Sequence, residues 1–463
     1  MEFILPIFYA SIFILLIWKI KFFQSAGLSK KIISAIFLLK IFFGIVLWAI
    51  YTYHYTYRNT SDAYRFFDDA TIIFKATDGN FGHFLQILFG INQDAEYLKP
   101  YLNQTSHWYR PNDYGLLNDD RTMIRFNAIL LFFSFGNYHV HTVIINFLSL
   151  IGLISLFKTF YSFLPQRKTE LFFSVFLIPT VLFWGSGVLK EGLILFSLGI
   201  FVFSFCRFLD FVYPSSKNLS GNNDRGSQFL FGSGEGKFSY HNFFIMIFSF
   251  LLLTIVKTYV LFCFIPAIIS FVILKISGSE KAAVKFGITH FLFILGILNI
   301  QLIFPGYNLL ETLAQKQRDF YNVAELWNAG SLIQIGHLEP NPLSFFKHIP
   351  QALSSVFLRP HLLEADSVFL VAASIENLII LGLIIFYLFH FSQTGRKNTP
   401  WILFCFSFVI FMTLLIGWTT PIMGAIVRYK LPFLPFLLFI LILISKKPAI
   451  VIRIENLFGK KLP

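Results

Sequence analysis

The stretch Thr60-Ser-Asp-Ala-Tyr-Arg-Phe-Phe-Asp-Asp-Ala70 opens a long polar excursion directly after an apolar run long enough to cross a membrane. Ser61 or Asp62 suits the cap of a helix, on which Asp62, Arg65 and Asp69 fall three and four residues apart and so share a face. Ala63, Phe66, Phe67, Ala70 and Ile73 fall on the opposite side. Carboxylates delivered this way to a bilayer surface can orient a hydroxyl or amide nucleophile, or take its proton. Asp62 is the first candidate for that role, with Asp69 or Asp68 as support or substitute. The same pattern also describes a capped surface helix with solvated acids.

A second set of residues is cationic. Lys190 follows Phe183-Trp-Gly-Ser-Gly-Val-Leu189, Lys257 stands at a tight helical turn, Arg359 precedes Pro360, and Arg428 begins Arg-Tyr-Lys-Leu-Pro432. All four fall at expected outer ends of spans, at the depth of a lipid-linked phosphate or pyrophosphate. Charge-assisted hydrogen bonds from Lys and Arg are the natural partners of such a group. Snorkelling to headgroups, or pairing with Glu191, Glu364 and Asp366, is the plainer account. For metal the residues offer His139-x-His141 and the pairs Asp68-Asp69 and Asp119-Asp120. Two histidines two apart on a helix diverge by about 200°, so no cofactor is firmly implied and a divalent cation is only weakly supported. Zinc spacings, Gly-rich phosphate loops and serine-hydrolase elbows are absent from the sequence.

The elements that must position these residues are membrane spans. A chain of 463 residues with 56% hydrophobic and 13% charged content has about half the charge of a soluble domain. Apolar runs recur along it, which predicts an all-α polytopic membrane protein of about eleven transmembrane helices. The net charge of +13 is no nucleic-acid signal, because Lys and Arg gather in short connections, such as Lys19–Lys31, Lys158–Lys168, Lys275–Lys285 and the tail from Lys446. That distribution predicts an outer N-terminus and a cytoplasmic C-terminus. Cys206, Cys263 and Cys405 each fall within an expected span, which excludes a disulfide framework and a thiolate metal site.

The chain reads as one transmembrane domain over residues 1–463, with outer segments at 52–122 and 305–366 and a Gly/Ser/Asn-rich cytoplasmic loop at 211–242. Residues 171–188 are expected as one span, 243–256 and 258–274 as two, and 431–445 as the last. Residues 80–91 and 342–358 are too short to span and apolar on one face, so each outer segment carries a short interfacial helix. Residues 123–134 suit a re-entrant helix or a short extra crossing. Lys40 and Glu376 are ionisable residues within spans, Glu376 facing the bundle interior.

Ser61-Asp-Ala-Tyr-x-x-x-Asp-Asp-Ala70, an early acid in a first large outer segment, resembles the integral-membrane glycosyltransferases of the C-type fold. Phe357-Leu-Arg-Pro-His-Leu-Leu-Glu364, Ile375-Glu-Asn-Leu378 and Gly424-Ala-Ile-Val-Arg-Tyr-Lys-Leu-Pro-Phe433 are similar to stretches of bacterial membrane proteins of this kind. Trp184-Gly-Ser-Gly-Val-Leu-Lys-Glu191 is similar to polysaccharide polymerases that work on lipid-linked repeats. The resemblance implies a polyprenyl-phosphate-linked sugar as donor, a glycan, lipid or protein as acceptor, and the outer face of a bacterial inner membrane as the place of action. It implies an Asp of the first outer segment as base, here Asp62, with Lys190, Lys257, Arg359 and Arg428 on the lipid phosphate. Two departures stand out. The acid follows the second span instead of the first, and no long soluble domain follows the bundle. A polymerase or ligase of lipid-linked repeats needs the same cations, whereas a transporter or flippase would use Lys40 and Glu376 near the midplane.

Overall fold

The computed structural model describes residues 3–24, 27–54, 58, 61–109, 118–212, 240–326, 329–392 and 399–457. They form an all-α bundle, and no β-strand occurs among them. Most of the loop expected at 211–242 lies outside the described residues.

The first half runs α1 (Ile4–Lys19), α2 (Lys30–Tyr53), α3 (Asp62–Phe74), α4 (Phe81–Phe89), α5 (Asp119–Ser134), α6 (Tyr138–Phe163), α7 (Lys168–Phe176), α8 (Pro179–Trp184) and α9 (Lys190–Val212). The second half runs α10 (Tyr240–Ser277), α11 (Ala282–Leu298), α12 (Leu309–Leu326), α13 (Pro342–Lys347), α14 (Ile349–Phe357), α15 (Val368–Phe389), α16 (Thr399–Thr419), α17 (Met423–Tyr429), α18 (Leu434–Ile444) and α19 (Ala449–Leu457).

Six of these, α2, α6, α9, α10, α15 and α16, are long and apolar enough to cross a membrane, or seven if α17 and α18, bent by 60°, count as one broken span. The expected count of about eleven is therefore not supported. Hydropathy alone overcounts here, because length decides. Helix α1 has 16 residues and α11 has 17, about 24 and 26 Å against a hydrocarbon core of about 30 Å. The expected span at 171–188 is broken into α7 and α8 around Pro179, whose missing N–H opens a helix and cannot continue one. The two spans expected at 243–256 and 258–274 meet at Lys257, whose φ −160° and ψ 82° are not helical: α10 is two helical arms that turn there, and both its ends lie against the end of α9, Phe243 on Phe208 and Lys275 on Asp210.

The two long polar segments, expected to lie outside, carry more helix than the sequence suggests. Residues 80–91 give α4, capped by Asn80 at its start and by left-handed Gly90 at its end. Residues 342–358 give α13 and α14, and residues 123–134 belong to α5, which packs on α3. Helix α12 is an additional amphipathic helix of the second segment.

Helices α6 and α9 form the centre, with 83% and 72% of their most apolar windows buried, against 28% for α15 at the periphery. They touch backbone to backbone. A Cβ on Gly199 would stand 2.0 Å from the Gly152 carbonyl oxygen, and one on Gly152 would stand 2.1 Å from that of Leu195. Lipid tails are as apolar as Leu, so helices associate in a membrane by close packing, and small residues allow it. Apolar side chains also point outward: Ile4, Ile7 and Leu15 on α1, Ile288, Phe291 and Leu292 on α11, and Leu378, Ile379 and Leu388 on α15 are exposed. An outward apolar surface of this extent belongs in a bilayer.

Candidate active site

Helix α3 buries Ala63, Phe66, Phe67, Ala70 and Ile73 as the sequence pattern requires. Its acidic face, however, is not a solvated one. Neither Ser61 nor Asp62 caps the helix: Ser61 occupies the cap position without a side-chain bond to the backbone. Asp62 instead reaches Arg428 on α17, whose Nη1 donates to Asp62 Oδ2 at 2.7 Å. The same guanidinium grips Glu191 with two parallel bonds, Nε to Oε1 at 2.5 Å and Nη2 to Oε2 at 2.9 Å, the fork geometry that only arginine supplies.

Glu191 and its neighbour Lys190 open α9, directly after the non-helical stretch 185–189. Lys190 Nζ pairs with Asp119 Oδ2 at 2.8 Å and with Asp120. Lys257, at the bend of α10, pairs with the same Asp119 oxygen at 2.6 Å. Asp119 and Asp120 stand in the first turn of α5, where Asn118 Oδ1 caps the helix by accepting from the amides of Asp120 and Arg121. Three cations and four carboxylates thus meet from α3, α5, α9, α10 and α17. Tyr259 and Tyr429 form an aromatic wall. Lys257 lies 5.3 and 5.7 Å from their ring centres, and Lys316 of α12 lies 4.7 Å from Tyr259.

Asp62 is the open edge of this cluster, its side chain 37% exposed against 4% for Glu191. Burial pushes its carboxyl up, but the charge of Arg428, with Lys190 and His107 nearby, outweighs that and holds it well below the usual carboxylate range. Asp62 is therefore a weak base and a firm hydrogen-bond acceptor.

The sequence-predicted residues divide. Asp62, Lys190, Lys257 and Arg428 come together. Asp69 lies beside them in another role: it is buried and accepts from Ser106 N at 2.8 Å, Ser106 Oγ at 3.1 Å and His107 N at 2.7 Å. Burial pushes the Asp69 carboxyl up, and these hydrogen bonds offset part of the shift. Asp69 thereby fixes His107, whose Nε2 lies 3.0 Å from Arg65 Nη1 and 4.0 Å from Asp120. Arginine only donates, so Nε2 is the acceptor.

Asp68 is turned away onto Arg58, with bonds of 2.7 and 2.8 Å. Arg359 does not join the cluster. Its side chain pairs with Glu364 at 3.2 Å, while its carbonyl accepts from Lys430.

Among the described residues no group of three or more His, Cys, Asp and Glu is arranged for a metal ion. His141 is buried between Ser134 and Asn127, at 2.8 and 2.7 Å, while His139 packs its ring 4.7 Å from that of Trp48.

The two intramembrane charges act on the site indirectly. Glu376 accepts from Thr180 N at 3.0 Å and Thr180 Oγ1 at 2.6 Å, at the start of α8. Lys40 donates to Gly185 O at 2.9 Å and Ser186 Oγ at 3.1 Å, at its end. A carboxylate at the N-terminus and an ammonium at the C-terminus match the polarity of the six-residue helix they hold. Asn146 donates to Ser186 O at 2.9 Å, so the carbonyls of Gly185 and Ser186, in the irregular backbone leading into Lys190, are both bonded by side chains.

Asp119, Asp120 and His107 join the cluster without having been singled out as members, whereas pairing of the cations with Glu191 and Glu364, the plainer account, is what Arg428 and Arg359 show. One signal was present: Asn118 as a cap before paired acids. Two cavities, of about 310 and 810 Å³, open elsewhere, and none of the seven clustered charged side chains lines either of them. Comparison with protein-family models, with curated proteins and with solved structures yields no match.

Proposed function

We propose that this protein is a membrane transferase that moves a sugar from a polyprenyl-phosphate-linked donor to a glycan, lipid or protein acceptor at the outer face of a bacterial inner membrane. One observation carries the reading: Lys190, Lys257 and Arg428 are gathered from three distant parts of the chain around Asp62, Asp119, Asp120 and Glu191. Taking ions out of water costs several kcal/mol each, and a well-packed apolar cluster holds a fold at least as well. Clusters of this kind gather at sites that work on charged substrates, which supports the reading.

In this scheme the cations receive the donor's phosphate and stabilise the charge that grows on it as the anomeric C–O bond breaks. Asp62 accepts a hydrogen bond from the acceptor hydroxyl and aims its oxygen at the anomeric carbon. The new C–O bond forms, polyprenyl phosphate leaves, and the hydroxyl proton passes to the leaving phosphate or to water. The weak basicity of Asp62 makes it an orienting group here and not the final holder of that proton.

Purified protein should transfer sugar from a polyprenyl-phosphate-linked donor, with losses of about 10²-fold or more in Asp62→Ala and Arg428→Ala. Full activity in both variants refutes the scheme. The weak basicity of Asp62 also suits a polymerase or ligase of lipid-linked repeats, in which the proton acceptor lies elsewhere. A glycan whose length collapses to one repeat on gene deletion selects that reading. Lys40 and Glu376 are both engaged at the ends of α8, which leaves a transporter without its main support. An outer first segment at 52–122 predicts that a cysteine at Asp94 labels from outside the cell and one at Glu280, beyond the span helices α6, α9 and α10, does not.

A further inference from the structure

The larger cavity, about 810 Å³, lies on the face of α3 turned away from the charged cluster. It is bounded by the start of α1, the end of α2, α3 and the turn between α5 and α6; Phe8, Trp48, Thr52, Arg58, Tyr64 and His139 are among its walls. The α1 side of its rim is apolar and turned outward, with Ile4 and Phe8 exposed, and Phe135 of the turn is exposed as well. A rim of that kind opens sideways to hydrocarbon. Trp48, Tyr64 and Tyr138 give the wall the aromatic character of a membrane boundary.

Among the described residues of the lining, Arg58 is the one Arg or Lys, and none is a carboxylate. Its guanidinium is held from two sides. It lies 3.7 Å above the Tyr64 ring, and its Nε and Nη2 donate to Asp68, which sits behind it. These contacts occupy one edge of the fork and leave the Nη1 edge uncommitted among the described residues. Tyr64 OH and Thr52 Oγ1, 2.5 Å apart, add hydroxyls to the same wall. A fixed guanidinium edge beside two hydroxyls suits the two free oxygens of a phosphodiester. The apolar rim suits the first methylenes of acyl chains.

We infer that this cavity is a binding site for an anionic glycerophospholipid, with its phosphodiester on Arg58 and its chains leaving past Ile4 and Phe8. The headgroup of such a lipid fits within the size range of small-molecule sites, about 300–1,000 Å³. The site is separate from the proposed transfer chemistry and stands on the membrane setting alone.

The test uses the full chain, purified in detergent and equilibrated with equal amounts of phosphatidylglycerol and phosphatidylcholine, with bound lipid counted by native mass spectrometry after a delipidating wash. Wild type should keep about one phosphatidylglycerol per chain in preference to phosphatidylcholine. Arg58→Gln should weaken that retention roughly tenfold or more. Leu5→Trp, which fills the cavity from α1 without touching the charge, should abolish it even if Arg58→Gln folds poorly. Equal retention of the two lipids by wild type, or unchanged retention in Leu5→Trp, overturns the inference. Retention of added polyprenyl phosphate in place of phosphatidylglycerol likewise overturns it.

Discussion

Removing Arg428 tests whether the cluster is one electrostatic unit. Arg428 is the only cation bonded to Glu191 among the described residues, and it does so through two short hydrogen bonds in a place where Glu191 is 4% exposed. Arg428→Ala leaves that carboxylate buried and unpaired, which costs about 3–5 kcal/mol. Asp62 reaches water and contributes less. The double variant Arg428→Ala/Glu191→Ala removes the stranded charge, so it should be more stable than the sum of the single losses, with a coupling of about 2 kcal/mol or more. Arg428→Lys keeps the charge but loses the fork, and should fall between wild type and Arg428→Ala.

The chain carries its own reporter for this cycle. Cys206, Cys263 and Cys405 are free and buried, so a thiol-reactive dye labels them only when the bundle opens. At fixed temperature, labelling of Arg428→Ala should be about 10²- to 10³-fold faster than wild type. Single losses below about 1 kcal/mol that add within about 0.5 kcal/mol would refute the reasoning.

Two further outcomes follow from the acids and glycines. The folded-state pKa of Asp62 lies below its unfolded value, so its stabilisation is present above about pH 4 and is lost as pH falls through the folded value. Asp69 has the opposite sign: its pKa is raised, so its contribution is present below about pH 4 and is lost as pH rises through the folded value. Thermal unfolding midpoints between pH 3 and 6 should therefore fall in acid less steeply for Asp62→Asn than for wild type, and more steeply for Asp69→Asn. Equal slopes in all three would contradict both assignments. Gly199→Ala places a Cβ 2.0 Å from the Gly152 oxygen and should cost about 1–3 kcal/mol or more, whereas Gly287→Ala meets nothing within 4 Å and should be neutral or slightly stabilising.

Much of the cluster is legible in the sequence because a charge at the end of an apolar run needs a reason. Asp62, Lys190, Lys257 and Arg428 stand out for that alone. Which span ends are neighbours is a matter of packing, and no local pattern carries it. Arg359 looked like Arg428 from its surroundings, yet the chain turns it onto Glu364. Asp69 looked like a solvated twin of Asp62, yet the 106–107 backbone claims both its oxygens. The acids at 119 and 120 suggested a metal when read alone, and become partners of Lys190 and Lys257 only once α5 meets α9 and α10. Span number failed for a related reason. Hydropathy registers how apolar a run is, while crossing also requires length, and Pro179 interrupts a run that composition treats as uniform.

The short helix α8 has a consequence for how this protein is made. The side chain that satisfies its first turn, Glu376, is 196 residues further along the chain, and the partner of Asp62, Arg428, is 366 residues away. When the ribosome has delivered α8 to the bilayer, neither exists yet. The nascent first half must therefore persist with an open helix end and an unpaired acid until α15 and α17 are inserted. Chains truncated before residue 376 should be marked for degradation by that exposed polarity, which makes completion of the last spans the step that certifies the whole molecule.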